Sequence, residues 1–429
     1  MYVVERLIDA VVKFDWPKDK LEIQVLDDST DETVAITAAK VAEYKAKGFD
    51  IVQICRIDRV GYKAGALQAG LEVSKGAFIA IFDADFLPQK DFLLQTMPFF
   101  HREKCGLVQT RWQHINENYS LLTRVQAFFL DAHFKVEQEG RNCSNYFMNF
   151  NGTAGVWRKA TIRDAGGWQA DTLTEDLDLS YRAQMKGWNF LYLENVLSPA
   201  ELPADIQSFK SQQFRWIKGG AETAKKILPQ ITKSNLPFKI KVNAFSHLLS
   251  SSLYVTIFLT VLLSVPLLIF KNTYIETEYV HFSAPFLLSN VAVGFVYFIS
   301  SFDKNNKLGS FLNYLFMLPM FLIITMGLSL HNTLAVIRGF WGEKTPFIRT
   351  PKFNILNKED IWNNKKYVIG KIDKVTIAEG FMSLYFMAGI IYGISIQEYN
   401  LIPLHLIAFS GFSAVFIYSI VHRMQSNAG

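Results

Sequence analysis

Two aspartates one residue apart, Asp83 and Asp85 in AIFDADFLPQK (80–90), follow the apolar run Ala77 to Phe82. Such a run reads as a buried strand, and side chains two apart on a strand point to the same side. Two carboxylates at a strand tip suit a Mg²⁺ or Mn²⁺ ion bound through one or two acids plus the phosphates of a substrate. There the ion would neutralise a diphosphate leaving group. Asp-x-Asp also occurs in ordinary turns, and the strand before it is what sets the metal reading beside that plain one.

Other segments carry chemistry with a bland reading alongside. LEIQVLDDS ends in Asp27 and Asp28. TLTEDLDLSYRAQMKG puts Glu175 and Asp176 at the start of a helical pattern. An acid there can be a general base within reach of a bound nucleophile, or it can simply favour the helix dipole behind a Thr174 N-cap. In SQQFRWIKGGAE, Gln212 and Arg215 share a helix face and Trp216 follows. Trp216 suits an interfacial anchor or a platform for a sugar ring, with arginine beside a phosphate. NFNGTAGVWRKATIRDAGGW combines the small residues Gly152, Thr153 and Gly155 with Arg158, and small residues permit close backbone approach to a ligand. PFIRTPKF (346–353) reads alone as a basic juxtamembrane loop.

The elements that must hold these residues alternate. LEIQVLDDS, DIVQICRID, AFIAIFDAD and GLVQTRW read as strands, and DETVAITAAKVAEYKAKG, YKAGALQAGLEVSKG and DFLLQTMPFFHREKCG as the helices between them. That rhythm predicts an open parallel sheet with helices on both faces, which binds ligands outside the carboxyl ends of its strands. No Gly-x-Gly-x-x-Gly or Walker lysine motif is present, so a dinucleotide or P-loop protein is not indicated.

Hydrophobicity is segregated along the 429 residues, half of which are apolar. From about residue 240 long apolar runs begin, at 247–270, 283–302, about 376–396 and about 401–421, each long enough to cross a bilayer. A run at 311–330 is interrupted by Pro319 and Gly327. Basic residues cluster beside these runs, Lys225 to Lys241 before the first and Arg338 to Lys374 after the interrupted one, including Lys366 and Lys371. Both clusters are therefore expected on the cytoplasmic side, and the acidic connection 271–281 outside. The count balances with four full spans if the Pro319/Gly327 segment dips in and returns or ends as an interfacial helix. The net charge of +5 therefore speaks for membrane orientation and not for nucleic acid. Cys55, Cys105 and Cys143 have no paired spacing, so neither a disulfide framework nor a zinc site is indicated. The expected domains are 1–235, cytoplasmic, and 236–429, transmembrane, with a cytoplasmic segment at 340–375.

Asp-Asp, Asp-x-Asp, Thr-Glu-Asp and Gln-x-x-Arg-Trp, in that order and followed by membrane spans, resemble the processive family 2 glycosyltransferases, the cellulose synthases and cellulose-synthase-like enzymes. QTRWQHINENYSLLTRVQA and FIRTPKFNI look most like the branch of glucomannan 4-β-mannosyltransferases and xyloglucan-backbone glucan synthases. The resemblance implies an α/β GT-A (Rossmann-like) catalytic domain followed by an all-α transmembrane domain. It implies an inverting hexosyltransferase in a multi-pass membrane protein (in the inner membrane if the cell is bacterial), which adds sugar from UDP-glucose or GDP-mannose to a growing β-glycan. By that resemblance Asp27, Asp28 and Lys63 contact the donor, and Asp83 and Asp85 hold its diphosphate and the metal. Asp176 is the general base beside Glu175. Gln212, Arg215, Trp216, Asn151 and Gly152 meet the acceptor. Phe347, Thr350 and Lys352 belong to a loop that closes over the donor. Arg349 stands where the family's loop has Val, and Asn151 where bacterial cellulose synthases have Cys. The rival readings are transfer to a lipid acceptor of ceramide or polyprenyl-phosphate type, a transporter with an accessory domain, and an inactive, truncated relative. No charge cluster marks an ion route through the spans, which speaks against the transporter.

The family's fold begins with a strand, whereas this sequence opens on YVVERLIDAVVKF. Val4, Leu7, Ile8, Val11 and Val12 fall at helical spacing and need a sheet to cover. The expectation is a further strand beside those carrying Asp28 and Asp85, in a longer chain or one with a different start.

Overall fold

The computed structural model describes all residues except 275–283, 304, 363–364, 366–372 and 428–429. Lys366, Lys371 and most of the acidic 271–281 connection lie outside the described residues. The opening helix α1 (Val4–Val11) buries Val4 and Ile8. With Val12 they pack on Ile23 of β1 (Glu22–Leu26), Val41 of α2 (Thr33–Ala46) and Ile51 of β2 (Asp50–Ile54). β1 and β2 are parallel and in register from Glu22↔Asp50 to Leu26↔Ile54. α3 (Tyr62–Val73) leads to β3 (Phe78–Ile81), and α4 (Phe92–Thr96) to β4 (Cys105–His114). The helix expected over 91–106 stops after five residues and continues as a 3₁₀ turn at Met97–His101. Pro98 sits there; it has no N–H to donate and disfavours helical geometry before it.

After β4 the chain makes a helical excursion. α5 (Leu121–Ala132) starts at a reciprocal Ser120–Thr123 cap, passes into a π-helical turn (His133–Gln138) and ends in α6 (Glu139–Cys143). β5 (Gly155–Arg158), α7 (Lys159–Asp164), α8 (Glu175–Met185) and β6 (Asn189–Ala200) complete the sheet. Its order is β3-β5-β4-β6. β5 is antiparallel to both neighbours, and β4 and β6 are parallel. The sheet is thus mixed rather than all parallel as expected. The excursion ends at the carboxyl edge of β4, so β5 has to run back. Alternation puts Leu107 and Trp157 on one face and Val108 and Val156 on the other. The first pair joins a core with Ile162, Leu179 and Ala183, the second one with Phe92 and Phe100.

β1 and β3 are not hydrogen-bonded to each other, and the described strands form two sheets. Between them lies a cavity of about 1180 Å³ lined by Leu21 to Leu26, Gly76 to Phe82, and Leu7, Ile8 and Val11 of α1.

α9 (Ile206–Lys233) begins at an Asp205 N-cap, and α10 (Phe238–Leu248) follows. The remaining helices are α11 (Leu253–Tyr274), α12 (Ala284–Ser301), α13 (Lys307–Gly327), α14 (Ser329–Trp341), α15 (Lys374–Ser395) and α16 (Ile402–Asn427). Four stretches among the described residues are helical, long and apolar enough to cross a bilayer: Ser250–Phe270, Lys307–Gly327, Lys374–Ser395 and Ile402–Met424. The protein is a multi-pass membrane protein. The segment expected to dip in and return or to end as an interfacial helix is one continuous helix, α13, with Pro319 inside it, and its Met317 and Phe321 pack on Val125 and Phe128 of α5. Neighbouring helices allow proline in a membrane span. Gly327 permits close packing, because a Cβ there would stand 2.2 Å from the Gly411 carbonyl oxygen of α16. α9 ties the two regions together through the buried Lys210, whose Nζ is 2.9 Å from Glu379 Oε2 of α15.

Candidate active site

The residues that the resemblance assigns to donor, acceptor, base and loop all line this cavity, at the end where the strands finish, whereas Thr153, Gly155 and Arg158 do not. β3 stops at Ile81, so Asp83 and Asp85 lie in the turn after the strand and not on it. That turn is closed by the Phe86 N–H donating to the Asp83 carbonyl at 3.0 Å. The Asp83 N–H donates to Thr153 Oγ1 at 2.9 Å. Each carboxylate has a lysine. Lys63 Nζ is 2.6 Å from Asp83 Oδ1 and 2.9 Å from the Gly152 carbonyl, and Lys352 Nζ is 2.7 Å from Asp85 Oδ2. Burial would lower the Lys63 pKa, but Asp83 and Glu175 lift it above its ordinary value. No group of three or more His, Cys, Asp or Glu able to hold a metal occurs among the described residues. The two aspartates therefore offer an oxygen-only pair to which a substrate would have to add ligands, and the Lys352 ammonium shows that the Asp85 oxygen accepts a cation. That donor set fits Mg²⁺ or Mn²⁺.

Asp27 and Asp28 sit just past β1, both buried. Asp28 is paired with Arg56, Nη2 to Oδ2 at 2.6 Å. Burial would raise the Asp27 pKa, yet hydrogen bonds from Ser29 and Gln53 hold it below its ordinary value.

Across the cavity, α8 starts at Glu175. Thr174 makes no cap and pairs its hydroxyl with Thr223 Oγ1 at 3.0 Å instead, which removes half of the bland reading of this motif. Asp176 Oδ1 accepts the Leu177 N–H at 2.8 Å. Its Oδ2 faces the Gly152 turn, where an added Cβ would stand 3.0 Å away. Gly152 also has φ +78°, so both space and backbone favour glycine here. Burial, then the neighbouring Glu175, raise the Asp176 pKa to about 7. Burial likewise raises Glu175.

α9 supplies Gln212, Arg215 and Trp216. Trp216 lies 6.4 Å from the Trp112 ring, centroid to centroid. Arg215 donates to Thr350 Oγ1 at 2.7 Å and stands 4.6 Å over the Phe347 ring, which stacks on Tyr62 at 5.7 Å. Burial lowers the Arg215 pKa. The 347–352 loop is thus docked on the site.

Glu201 and Arg6 escaped the sequence reading. Glu201 Oε2 takes Arg6 Nη2 at 2.8 Å and Oε1 accepts the Phe353 N–H at 2.8 Å, while Arg6 Nη1 reaches Asn354 Oδ1 at 2.5 Å. The signal for Glu201 was its place at the carboxyl end of β6, on the same edge as Asp28 and Asp85; β6 itself had not been read as a strand.

A protein-family model described as "Glycosyltransferase like family 2" matches residues 2–219. The chain belongs to this family, with a GT-A-like catalytic fold and mixed sheet followed by a bundle of long apolar helices. The probable glucomannan 4-beta-mannosyltransferase 4 of Oryza sativa subsp. japonica is 44% identical over 253 residues, covering 58% of this chain and 46% of that protein. The glucomannan 4-beta-mannosyltransferase 2 of Arabidopsis thaliana is 45% identical over 232 residues, 53% of this chain and 43% of that protein. The chain spans less than half the length of these curated relatives. Among solved structures, the mannosyltransferase PcManGT from Pyrobaculum calidifontis, in complex with GDP-Man and Mn²⁺, superposes with a TM-score of 0.52 at 16% identity, covering 80% of this chain and 84% of its own. That likeness is one of fold.

Proposed function

We propose that the protein is an inverting, membrane-embedded glycosyltransferase that extends a β-1,4-linked mannan or glucomannan from GDP-mannose. The observation that carries the reading is Asp176, a carboxyl poised near neutrality whose free oxygen faces the Gly152 turn in the cavity that also holds the Asp83/Asp85 turn. The names of the relatives matched over the catalytic part support the mannosyl donor.

In this reading Asp176 Oδ2 takes the proton of an acceptor hydroxyl as that oxygen bonds to the anomeric carbon. The bond from that carbon to the diphosphate breaks on the opposite face, which inverts an α-linked donor to a β-glycoside. Asp83 and Asp85 would hold a divalent ion that neutralises the departing diphosphate. Lys63, Arg215 and Lys352 bring positive charge to the same place, and docking of the 347–352 loop excludes water. Asp27 and Asp28 face the nucleotide end. The catalytic part, 1–235, lies on the cytoplasmic side, supported by the positive residues of the docked loop and of α9. The membrane part, 236–429, gives the polymer its way out.

Membranes given GDP-[¹⁴C]mannose are expected to form a product that a β-1,4-mannanase degrades. Label extracted wholly into organic solvent would show a lipid acceptor, and incorporation from UDP-glucose alone would remove the mannosyl assignment. Trp216 is assigned to the acceptor. Trp216→Ala is expected to slow chain extension by about tenfold or more, the loss of about 1.4 kcal/mol of binding, with donor affinity retained. Unchanged extension in normally folded protein would return Trp216 to the role of interfacial anchor.

A further inference from the structure

From Thr223 to Phe270 the sequence has no acidic residue but carries Lys225, Lys226, Lys233, Lys239 and Lys241. Lys226 is committed to Asp171 and Asp178, at 2.8 and 2.9 Å. Lys233, Lys239 and Lys241 have no carboxylate partner among the described residues, and Lys241 Nζ donates to the Thr232 carbonyl at 2.9 Å. The acids at the borders are engaged elsewhere, Glu222 by Lys218 at 3.1 Å and Glu343 by Arg338 at 3.5 Å. α10 sorts its residues by face. Ala244 and Leu248 are buried against Ile227 and Ile231 of α9, and Ile240 is buried on the same side. Phe238, Val242 and Leu249 recur at helical spacing on the opposite side. All three are exposed, Phe238 by 82%. At 100° per residue, Lys239 and Lys241 fall on either flank of that stripe. The stripe runs on into the exposed Leu253, within the span Ser250–Phe270. Lys225, on α9, donates to the Phe340 carbonyl at 2.8 Å, beside Trp341, which is 84% exposed.

An apolar stripe flanked by lysines and continuous with a membrane span suits a helix lying in the plane of the bilayer surface. Lysine stems cover apolar surface there while the ammonium heads reach the headgroups, and basic clusters beside a span attract anionic lipid. We propose that α10 lies along the bilayer surface on the side of the catalytic domain, and that Lys233, Lys239 and Lys241 there bind the headgroups of anionic phospholipids. The inference goes beyond the glycosyltransferase reading and does not depend on which sugar is transferred. Lysines that serve only to orient the protein in the membrane need no preference among lipids, and that is the difference to measure.

The test uses the purified full chain reconstituted in vesicles of phosphatidylcholine mixed with phosphatidylglycerol. Phe238→Trp places a reporter on the stripe, and its emission is the difference from the unsubstituted protein. Quenching by brominated phosphatidylglycerol against brominated phosphatidylcholine, at equal mole fraction, gives the relative affinity of the two lipids for this face. At low salt phosphatidylglycerol should be preferred about fivefold or more, the scale of one basic residue at an anionic surface. Lys233→Gln with Lys239→Gln, in the reporter background, should bring the preference close to parity. High salt, which screens exposed charges, should do the same with every lysine in place, so the result does not hang on the folding of one variant. Equal quenching by the two lipids at low salt would leave the lysines to set orientation alone and overturn the proposal. A preference unchanged by both the substitutions and salt would overturn it as well. A reporter quenched by neither lipid would put this face outside the bilayer, open to a protein partner, and would equally overturn it.

Discussion

Asp176→Asn is expected to slow sugar transfer on the order of 10²- to 10⁴-fold with donor affinity preserved, because the amide is nearly isosteric yet cannot take a proton at neutral pH. The unsubstituted protein should show a rate that climbs as pH rises through about 7, where the Asp176 carboxyl ionises, and the variant should lose that limb. The same residue links to stability with a definite sign. Its pKa in the folded protein lies above its ordinary value of 3.8, so the folded state binds the proton more tightly than the unfolded one. Folding is favoured by this group at low pH, and that contribution is lost as pH rises from about 4 to about 7. Asp176→Asn removes the cost of a buried charge, so the variant should melt higher than the unsubstituted protein at pH 8 and no higher at pH 4. An inactive but more stable variant is the pattern of a residue placed for chemistry at the expense of stability. Near-normal turnover, or a lower melting temperature at pH 8, would show that Asp176 is not the base.

Chelation with excess EDTA should abolish transfer, and Mn²⁺ or Mg²⁺ should restore it, since an oxygen-only pair suits both ions. Asp85→Asn should reduce transfer on the order of 10²- to 10³-fold, the scale of losing one charge-stabilising group at a reacting centre. It should also undock the 347–352 loop, because the Lys352–Asp85 pair is one of its anchors, and proteolysis in that loop should become faster. Asp83→Asn leaves the loop anchor in place and should lower the rate without that proteolytic signature. Undiminished transfer in EDTA would rule out a metal at this turn.

Much of the fold was legible because local pattern carried it. The alternation of apolar strands with helical segments placed β1, β2, β3 and β4 close to where they lie, and the acidic ends of two of them marked the working edge of the sheet. Where the reading failed, long-range pairing decided. β5 has four residues, too few for a periodic signal, and its antiparallel direction follows from the excursion before it. α13 runs on through Pro319, and proline is tolerated in apolar helices packed among neighbours, which a single segment cannot reveal. At the site, the residues assigned by the resemblance line one cavity, and Thr153, Gly155 and Arg158 of the glycine-rich segment do not. Glu201 and Arg6 were invisible, since each works through partners far away in sequence; Arg6 reaches Asn354 across the length of the chain.

The separation of β1 from β3 divides the donor site between two sheets. Hydrogen bonds run through β3, β5, β4 and β6, and separately between β1 and β2. Asp27 and Asp28 stand at the end of the smaller sheet, whereas Asp83 and Asp85 follow β3 and Asp176 lies in the first turn of α8. A nucleotide sugar held at both ends would span the two sheets and act as the strut that joins them.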